Sequence, residues 1–510
     1  MAENYLNILA ETIRNNWDQP ALTDFYLTED GTRQDTSRGN HYTYGEMYAE
    51  ICRVAELLTS LGLQKGDHIA ICGANSAHWV IAYLAIAKMQ GVSVTVMHSL
   101  MPEEIARRVD FADAKALFTD SDLWTELKNQ SLPQVQSVIS LEDWNFLRGE
   151  KITNYKLQIT NREIGFSPVE PDSLATICFT SGTSGNPKGV MLGYGDLTAR
   201  VIGTNDACGN LNGKNALAFL PLAHIYSFGG QMLTPIVNGG HIYLVRMFFA
   251  NALFKIVTIV RPYSFFSVPS IVNKLVENPN YKKIIPNLLD GIEYLPLGGA
   301  QIPPDVEKEL TLLSIPVAPA YGLSESCPIS MTPYHGYKKG TVGRVFYALE
   351  VRISPAGEIL VKGENVMLGY YKDPEATARK IDSDGWLHTG DKGHLDEDGY
   401  LYVEGRLEQD IIVLPNGENI RPDNIESLIN ALPEVSESIV LAREGKLVAI
   451  VVAENVECGK WTVESDELRR HILRTINPEL PLYSQLYDVE ITSTPLQKTE
   501  KQTIKRYLYK

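Results

Sequence analysis

Apolar positions along the chain switch repeatedly between the spacing of a helix face and that of a buried strand. From Thr43 to Leu61 they recur every three or four residues, and Gly62 ends the run, which predicts an amphipathic helix. Asp67–Cys72 is a short apolar run and predicts a strand, followed by a helix from Asn75 to about Gln90. The same reading gives a strand at Val92–Val96, a helix at Pro102–Phe111 and a strand at Ala116–Thr119. Strands and helices in turn predict a parallel sheet with helices on both faces. Residues 121–170 are polar and irregular, which predicts a surface connection. The alternation resumes with strands expected at Leu174–Phe179, Ala216–Leu220, His241–Val245, Tyr263–Ser267 and Ile292–Leu297, continuing the sheet. The most apolar region, Trp79 to Leu100, is broken by Lys88, Gln90 and Gly91, so it predicts a buried helix running into a strand and not a membrane span.

Length and charge narrow the class. A chain of 510 residues exceeds one compact core, so two or more domains are expected. A net charge of -16 argues against a nucleic-acid partner and allows at most peripheral membrane contact. The six cysteines include no C-x-x-C pair, and the N-terminus lacks a basic segment leading into an apolar core. Both point to reduced thiols and a cytoplasmic protein.

Chemistry concentrates where strands end. The stretch Thr180-Ser-Gly-Thr-Ser-Gly-Asn-Pro-Lys-Gly-Val190 follows an apolar run with glycines, hydroxyls and one lysine. Backbone N–H groups and the hydroxyls of such a loop can face a polyphosphate, with Lys188 as a point charge. It is not a Walker loop, which needs Gly-Lys-Ser/Thr; a plain surface linker is the competing reading. Further along, Ala320-Tyr-Gly-Leu-Ser-Glu-Ser326 offers a ring face at Tyr321 for a base, a hydroxyl at Ser324 for phosphate and a hard oxygen at Glu325 for Mg²⁺; a capped turn is the competing reading. Asp391 in Gly385-Trp-Leu-His-Thr-Gly-Asp391 is placed to accept ribose hydroxyls, whereas Asp396, Glu397 and Asp398 read as an acidic hairpin turn.

The Thr180–Val190 stretch closely resembles the phosphate-binding signature of the adenylate-forming superfamily, which includes acyl-CoA synthetases, luciferases and peptide-synthetase adenylation domains. The superfamily's other signatures follow in order to residue 506. The resemblance implies an α/β fold, with a large N-terminal domain (1–404) of parallel-rich sheets layered with helices and a small α+β C-terminal domain (405–510). It implies that ATP is bound by Thr180, Ser181, Gly182, Thr183, Ser184, Gly185, Lys188, Tyr321, Gly322 and Ser324, with Gly299 and Ala300 bordering adenine. It sets Asp391 and Arg406 at the ribose, His224 near the substrate carboxylate and Glu325 on the metal. Tyr226, Phe228, Gly229 and Gly230 are pocket walls or core. Glu408 takes the hinge position, where Asp or Lys is commoner, and Gly417 and Glu418 line the CoA channel. The tail departs from the pattern: Thr503 stands where a catalytic lysine belongs, leaving Lys501, Lys505 or no lysine for that role, with Lys501 favoured.

These readings together predict an ATP-dependent synthetase that uses Mg²⁺ and coenzyme A, activates a carboxylic acid as acyl-AMP and forms its CoA thioester. A fatty acid is favoured because the segments 220–230 and 357–371 look most like fatty-acid-activating members. An acyl-AMP ligase that loads a carrier protein, and a non-catalytic adenylate-binding protein, remain the alternatives.

Overall fold

The computed structural model describes all residues except 1–3, 29–32, 150–163, 181–187, 247–249, 278–290, 301, 303, 313–316, 408–411, 414–418, 421, 444, 455–465, 481–483, 499–503, 505 and 510. The chain divides at Glu404–Gly405 into two compact units.

The larger unit is built on an eight-stranded sheet. In spatial order its strands are Gly369–Tyr370, Lys188–Gly193, Leu174–Thr180, Val92–Thr95, His68–Cys72, Ala116–Thr119, Ser137–Ser140 and Phe146–Arg148. The five strands from Leu174–Thr180 to Ser137–Ser140 are parallel, and antiparallel strands flank them on both edges. The helix Tyr44–Ser60 starts at a reciprocal cap: Thr43 Oγ1 accepts from the Glu46 N–H at 3.2 Å, while Glu46 Oε2 accepts from the Thr43 N–H at 2.8 Å. The next helix, Ala77–Lys88, is buried at every residue from Ala77 to Ala87, which explains why it is apolar all round.

The structure corrects the expected single sheet. Strands Asn215–Ala218 and His241–Leu244 lie in a separate four-stranded sheet with Pro20–Asp24 and His41–Thr43. Tyr263–Ser267 forms no strand; Ser264 bridges Ala216 and Tyr294, and Ser267 bridges Leu297, as isolated pairs. The predicted strand Ile292–Leu297 is confined to Leu295–Leu297. Residues 121–170 are also more than a surface connection, because they supply the helix Ser121–Leu127 and two strands of the main sheet. Ser137-Val-Ile-Ser140 is buried throughout although half its residues are polar, so its composition conceals an interior strand.

Two further sheets carry candidate site residues. One orders Leu295–Leu297, Val317–Leu323, Ser326–Met331 and Arg344–Val345; the other orders Leu349–Ile353, Glu358–Gly363, Leu387–Leu395 and Leu401–Arg406. Among the described residues, the smaller unit has a three-stranded sheet of Val435–Arg443, Lys446–Ala453 and Asp488–Thr492, a short antiparallel pair of Ile412–Val413 with Asn419–Ile420, and helices Pro422–Asn430 and Asp466–Ile476. Ile425, Ile429, Leu468 and Ile472 share its core with Val440, Ala449 and Val451. Helices with mixed sheets, the largest having a parallel centre, make the protein α/β. No helix among the described residues is long and apolar enough to cross a membrane.

Candidate active site

The glycine-rich stretch joins two paired strands. Leu174–Thr180 and Lys188–Gly193 run antiparallel with Thr180 opposite Lys188, so the ends of the intervening segment are held together. Ser181, Gly182, Thr183, Ser184 and Gly185 lie outside the described residues. Lys188 is half-buried, and its Nζ sits 4.8 Å from the centroid of the Tyr370 ring. Tyr370 reaches it because Gly369–Tyr370 pairs with the Lys188–Gly193 strand in the register Tyr370↔Val190.

The Tyr321–Ser326 stretch forms a hairpin, not a helix start. Strands Val317–Leu323 and Ser326–Met331 pair antiparallel, leaving Ser324 and Glu325 at the turn. Ser324 is buried and Glu325 is half-exposed. The Tyr370 hydroxyl donates to Glu325 Oε1 at 2.5 Å. Burial, reinforced by the Glu325 charge, raises the Tyr370 phenol far above its ordinary value, so it remains a donor at neutral pH. Behind the turn, Ser326 Oγ donates to Asn365 Oδ1 at 3.0 Å and Asn365 Nδ2 donates to the Pro328 carbonyl at 2.6 Å, with Asn365 fully buried.

Asp391 owes its position to an irregular strand pairing. Glu358 faces Lys392 and Leu360 faces His388, so three residues, 389–391, oppose Ile359 alone. Gly390 takes φ +75° in this bulge, a conformation costly for residues with a Cβ, and its N–H donates to Glu358 Oε1 at 2.9 Å. Thr389 Oγ1 donates to the Ile359 carbonyl at 2.6 Å and accepts from the Asp391 N–H at 3.0 Å. The buried Asp391 carboxylate accepts the Tyr321 hydroxyl at 2.5 Å, bringing together two residues seventy positions apart. Arg406 ends the strand Leu401–Arg406 with its side chain exposed.

Other expected residues fall at the edges of this arrangement. His224 caps a short helix, Ile225–Ser227, its Nδ1 accepting from the Tyr226 N–H at 3.3 Å. The following Phe228–Leu233 is a π-helix, a geometry frequent at functional sites. Phe228 is core, in edge contact with Tyr83, whereas the Tyr226 hydroxyl donates to the carbonyls of Pro296 at 3.0 Å and Ser267 at 3.2 Å. A Cβ on Gly230 would meet the Phe266 ring at 2.3 Å, while one on Gly229 would meet open space. Gly299 and Ala300 are exposed just after the strand Leu295–Leu297, and Gly322 lies on the Tyr321 strand. Asp396 and Asp398 form the expected turn: Asp396 Oδ1 accepts from the N–H groups of Asp398 and Tyr400, and Lys338 Nζ pairs with both carboxylates.

Glu408, Gly417, Glu418, Lys501, Thr503 and Lys505 lie outside the described residues. Their surroundings are partly visible. Lys498 and Ile504 form an antiparallel bridge on either side of the tail segment. Arg506 pairs with Glu426 and donates to the Val440 carbonyl at 3.1 Å, holding the tail to the small unit's own sheet. Sequence reasoning missed Tyr370, Asn365, Glu358 and Thr389 as site residues. Tyr370 was visible only as part of Gly369-Tyr-Tyr371, and nothing local marks which tyrosine turns inward.

The residues present fit a magnesium ion delivered with a nucleotide. Magnesium takes one or two carboxylates and completes its shell with phosphate oxygens and water. Glu325 offers one half-exposed carboxylate with an oxygen already oriented by a hydroxyl. Among the described residues, no group of three or more His, Cys, Asp or Glu side chains could hold an ion alone.

Comparison with known proteins agrees with this geometry. The AMP-binding enzyme family model matches residues 9–371, and the AMP-binding enzyme C-terminal domain model matches 409–509. The chain is 27% identical to 4-coumarate–CoA ligase 3 of Oryza sativa subsp. japonica over 487 residues, covering 90% of this chain and 85% of that one. It is also 27% identical to the peroxisomal long chain acyl-CoA synthetase 7 of Arabidopsis thaliana, covering 87% and 73%. Its fold is that of ATP-bound MatB from Rhodopseudomonas palustris, with a TM-score of 0.79 at 22% identity over 99% of this chain and 98% of that one. O-succinylbenzoate coenzyme A synthetase from Bacillus subtilis in complex with AMP gives a TM-score of 0.78 at 24% identity, over 98% and 97%. The chain belongs to the AMP-binding enzyme family, within the adenylate-forming superfamily that its motifs resemble.

Proposed function

We propose that this protein is an ATP-dependent acid–CoA ligase that activates an apolar carboxylic acid as acyl-AMP and transfers the acyl group to coenzyme A. The observation that carries this reading is convergence. The Tyr321–Ser326 hairpin joins Asp391 through Tyr321 and Lys188 through the Glu325–Tyr370 bond, so the signatures meet in one place.

The chemistry explains why such a cluster is needed. A carboxylate attacking the α-phosphate of ATP brings two anions together, so the rate depends on neutralising and aligning them. In this reading Lys188 and the 180–189 segment bind the phosphates, Asp391 and Arg406 hold the ribose, and Tyr321 with Gly299 and Ala300 flanks the base. Magnesium bound to Glu325 would supply further charge neutralisation on the triphosphate. His224 and Tyr226 border the acid, with the space beside Gly229 available to its chain. Rotation of residues 405–510 about Glu408, exchanging the adenylating lysine (Lys501 in this reading) for the CoA channel at Gly417 and Glu418, belongs to the same proposal.

Fatty acids remain the favoured substrates on the resemblance of segments 220–230 and 357–371. Aryl acids are the second reading, because relatives at 27% identity include 4-coumarate–CoA ligases. The test is acid-dependent ATP–pyrophosphate exchange across a panel of fatty and aryl acids, followed by thioester formation with free CoA and with a holo carrier protein. Exchange with an apolar acid and thioester on free CoA are expected. Exchange with none of the acids, with no nucleotide bound, would overturn the reading; thioester on the carrier alone would redirect it to a loading enzyme.

A further inference from the structure

We propose that Tyr370 is a positioning residue of the adenylating site, locking the metal-binding carboxylate Glu325 and the phosphate-binding lysine Lys188 into one fixed unit. The inference rests on the functional reading above and assigns a role to a residue to which the motifs gave none.

Glu325 and Lys188 are 137 positions apart and belong to different sheets, so nothing in their own elements fixes their separation. The segment 365–371 spans them. At one end, the Met367 N–H donates to the Glu325 carbonyl at 2.8 Å, Val366 bridges Ser326, and Asn365 receives the Ser326 hydroxyl. At the other end, the Leu368 N–H donates to the Met191 carbonyl at 2.9 Å and the Tyr371 N–H to the Gly189 carbonyl at 2.7 Å. The backbone therefore straps the Glu325 turn to the strand that starts with Lys188.

Tyr370 adds the side-chain half of the connection. It is 5% exposed, its hydroxyl is on Glu325 Oε1 and its ring faces Lys188 Nζ. Its backbone is also fixed, because the Tyr370 N–H donates to Thr377 Oγ1 at 2.8 Å. A glutamate on a hairpin turn has several rotamers, and holding one of them in advance avoids an ordering cost when ligand arrives. One phenol thereby orients Glu325 toward the cation and keeps the Lys188 Nζ over its ring. Phenylalanine separates the two functions, since it keeps the ring and deletes the hydroxyl; leucine removes both.

The test is calorimetric binding to the full-length protein of a non-hydrolysable ATP analogue, with Mg²⁺ and with EDTA, and of AMP, alongside ATP–pyrophosphate exchange at varied Mg²⁺. For Tyr370→Phe, affinity for the Mg²⁺-loaded analogue should fall about tenfold, as for loss of one hydrogen bond to a charged group. Affinity for the metal-free analogue and for AMP should stay within about twofold of the unmodified protein, a change too small to represent a lost hydrogen bond. Half-maximal exchange should shift to higher Mg²⁺. Tyr370→Leu should also weaken the metal-free analogue, through Lys188, and still leave AMP binding near normal. Unchanged Mg²⁺ dependence in Tyr370→Phe would overturn the proposal, and so would an equal loss for all three ligands, which would mark a purely structural tyrosine. If the unmodified protein bound no Mg²⁺-loaded analogue at all, the functional reading itself would fall, and this inference with it.

Discussion

Two tyrosine–carboxylate bonds of equal length, 2.5 Å, involve one hairpin, one at its first strand and one at its turn, and their settings differ. Tyr321–Asp391 sets a half-buried tyrosine on a buried acid: the aspartate lies on a bulged strand and is fixed by Thr389 and the bulge itself. Tyr370–Glu325 reverses the arrangement, with a buried tyrosine holding a half-exposed glutamate at a turn. In the first pair the main chain positions the acid and the hydroxyl satisfies it. In the second the hydroxyl itself limits where the acid can go. A group that must meet the same ribose every time suits the first design, and a group that must accept an ion arriving with substrate suits the second.

The sharpest way to break the comparison is Glu325→Gln. It keeps the shape and removes the charge, so ATP–pyrophosphate exchange should fall about a hundredfold to a thousandfold while AMP affinity stays near normal. Lys188→Ala should follow, with a loss of about a hundredfold in exchange and weaker binding of the triphosphate, measured by calorimetry. Asp391→Asn should act on the other bond: affinity should drop about tenfold for ATP and AMP alike, and discrimination against 2′,3′-dideoxy-ATP should disappear. Tyr321→Phe should have the smallest effect on function. It retains the ring and leaves a buried carboxylate short of one donor, which costs about 1–3 kcal/mol of stability in chemical denaturation and only a few-fold in nucleotide affinity. If Glu325→Gln and Asp391→Asn gave the same ligand profile, the division between phosphate and ribose sides would be wrong.

The sequence made much of this legible, for identifiable physical reasons. Helix Tyr44–Ser60 announced itself by spacing and by the Gly62 stop, and Leu174–Thr180 by an apolar run ending in turn residues. Lys188, Tyr321, Glu325 and Asp391 stood in motifs that marked them as candidates for nucleotide chemistry. Strand Ser137–Ser140 could not be read this way, because its serines are buried where neighbouring strands satisfy the backbone, and burial is a property of the sheet. The division of the strands into separate sheets was hidden for the same reason: apolar runs specify strands but not partners. Tyr370 was illegible because its role depends on a pairing with residue 190, far away in sequence, that turns its ring to Lys188 and its hydroxyl to Glu325.

The most direct test of the central claim is a crystal structure of the full-length protein with ATP and Mg²⁺. The account predicts the ribose hydroxyls within hydrogen-bond distance of Asp391, the base beside Tyr321, and the ion on Glu325 with Tyr370 still bonded to that carboxylate. A nucleotide bound away from Tyr321 and Asp391, or an ion held by other side chains with Glu325 turned aside, would contradict it.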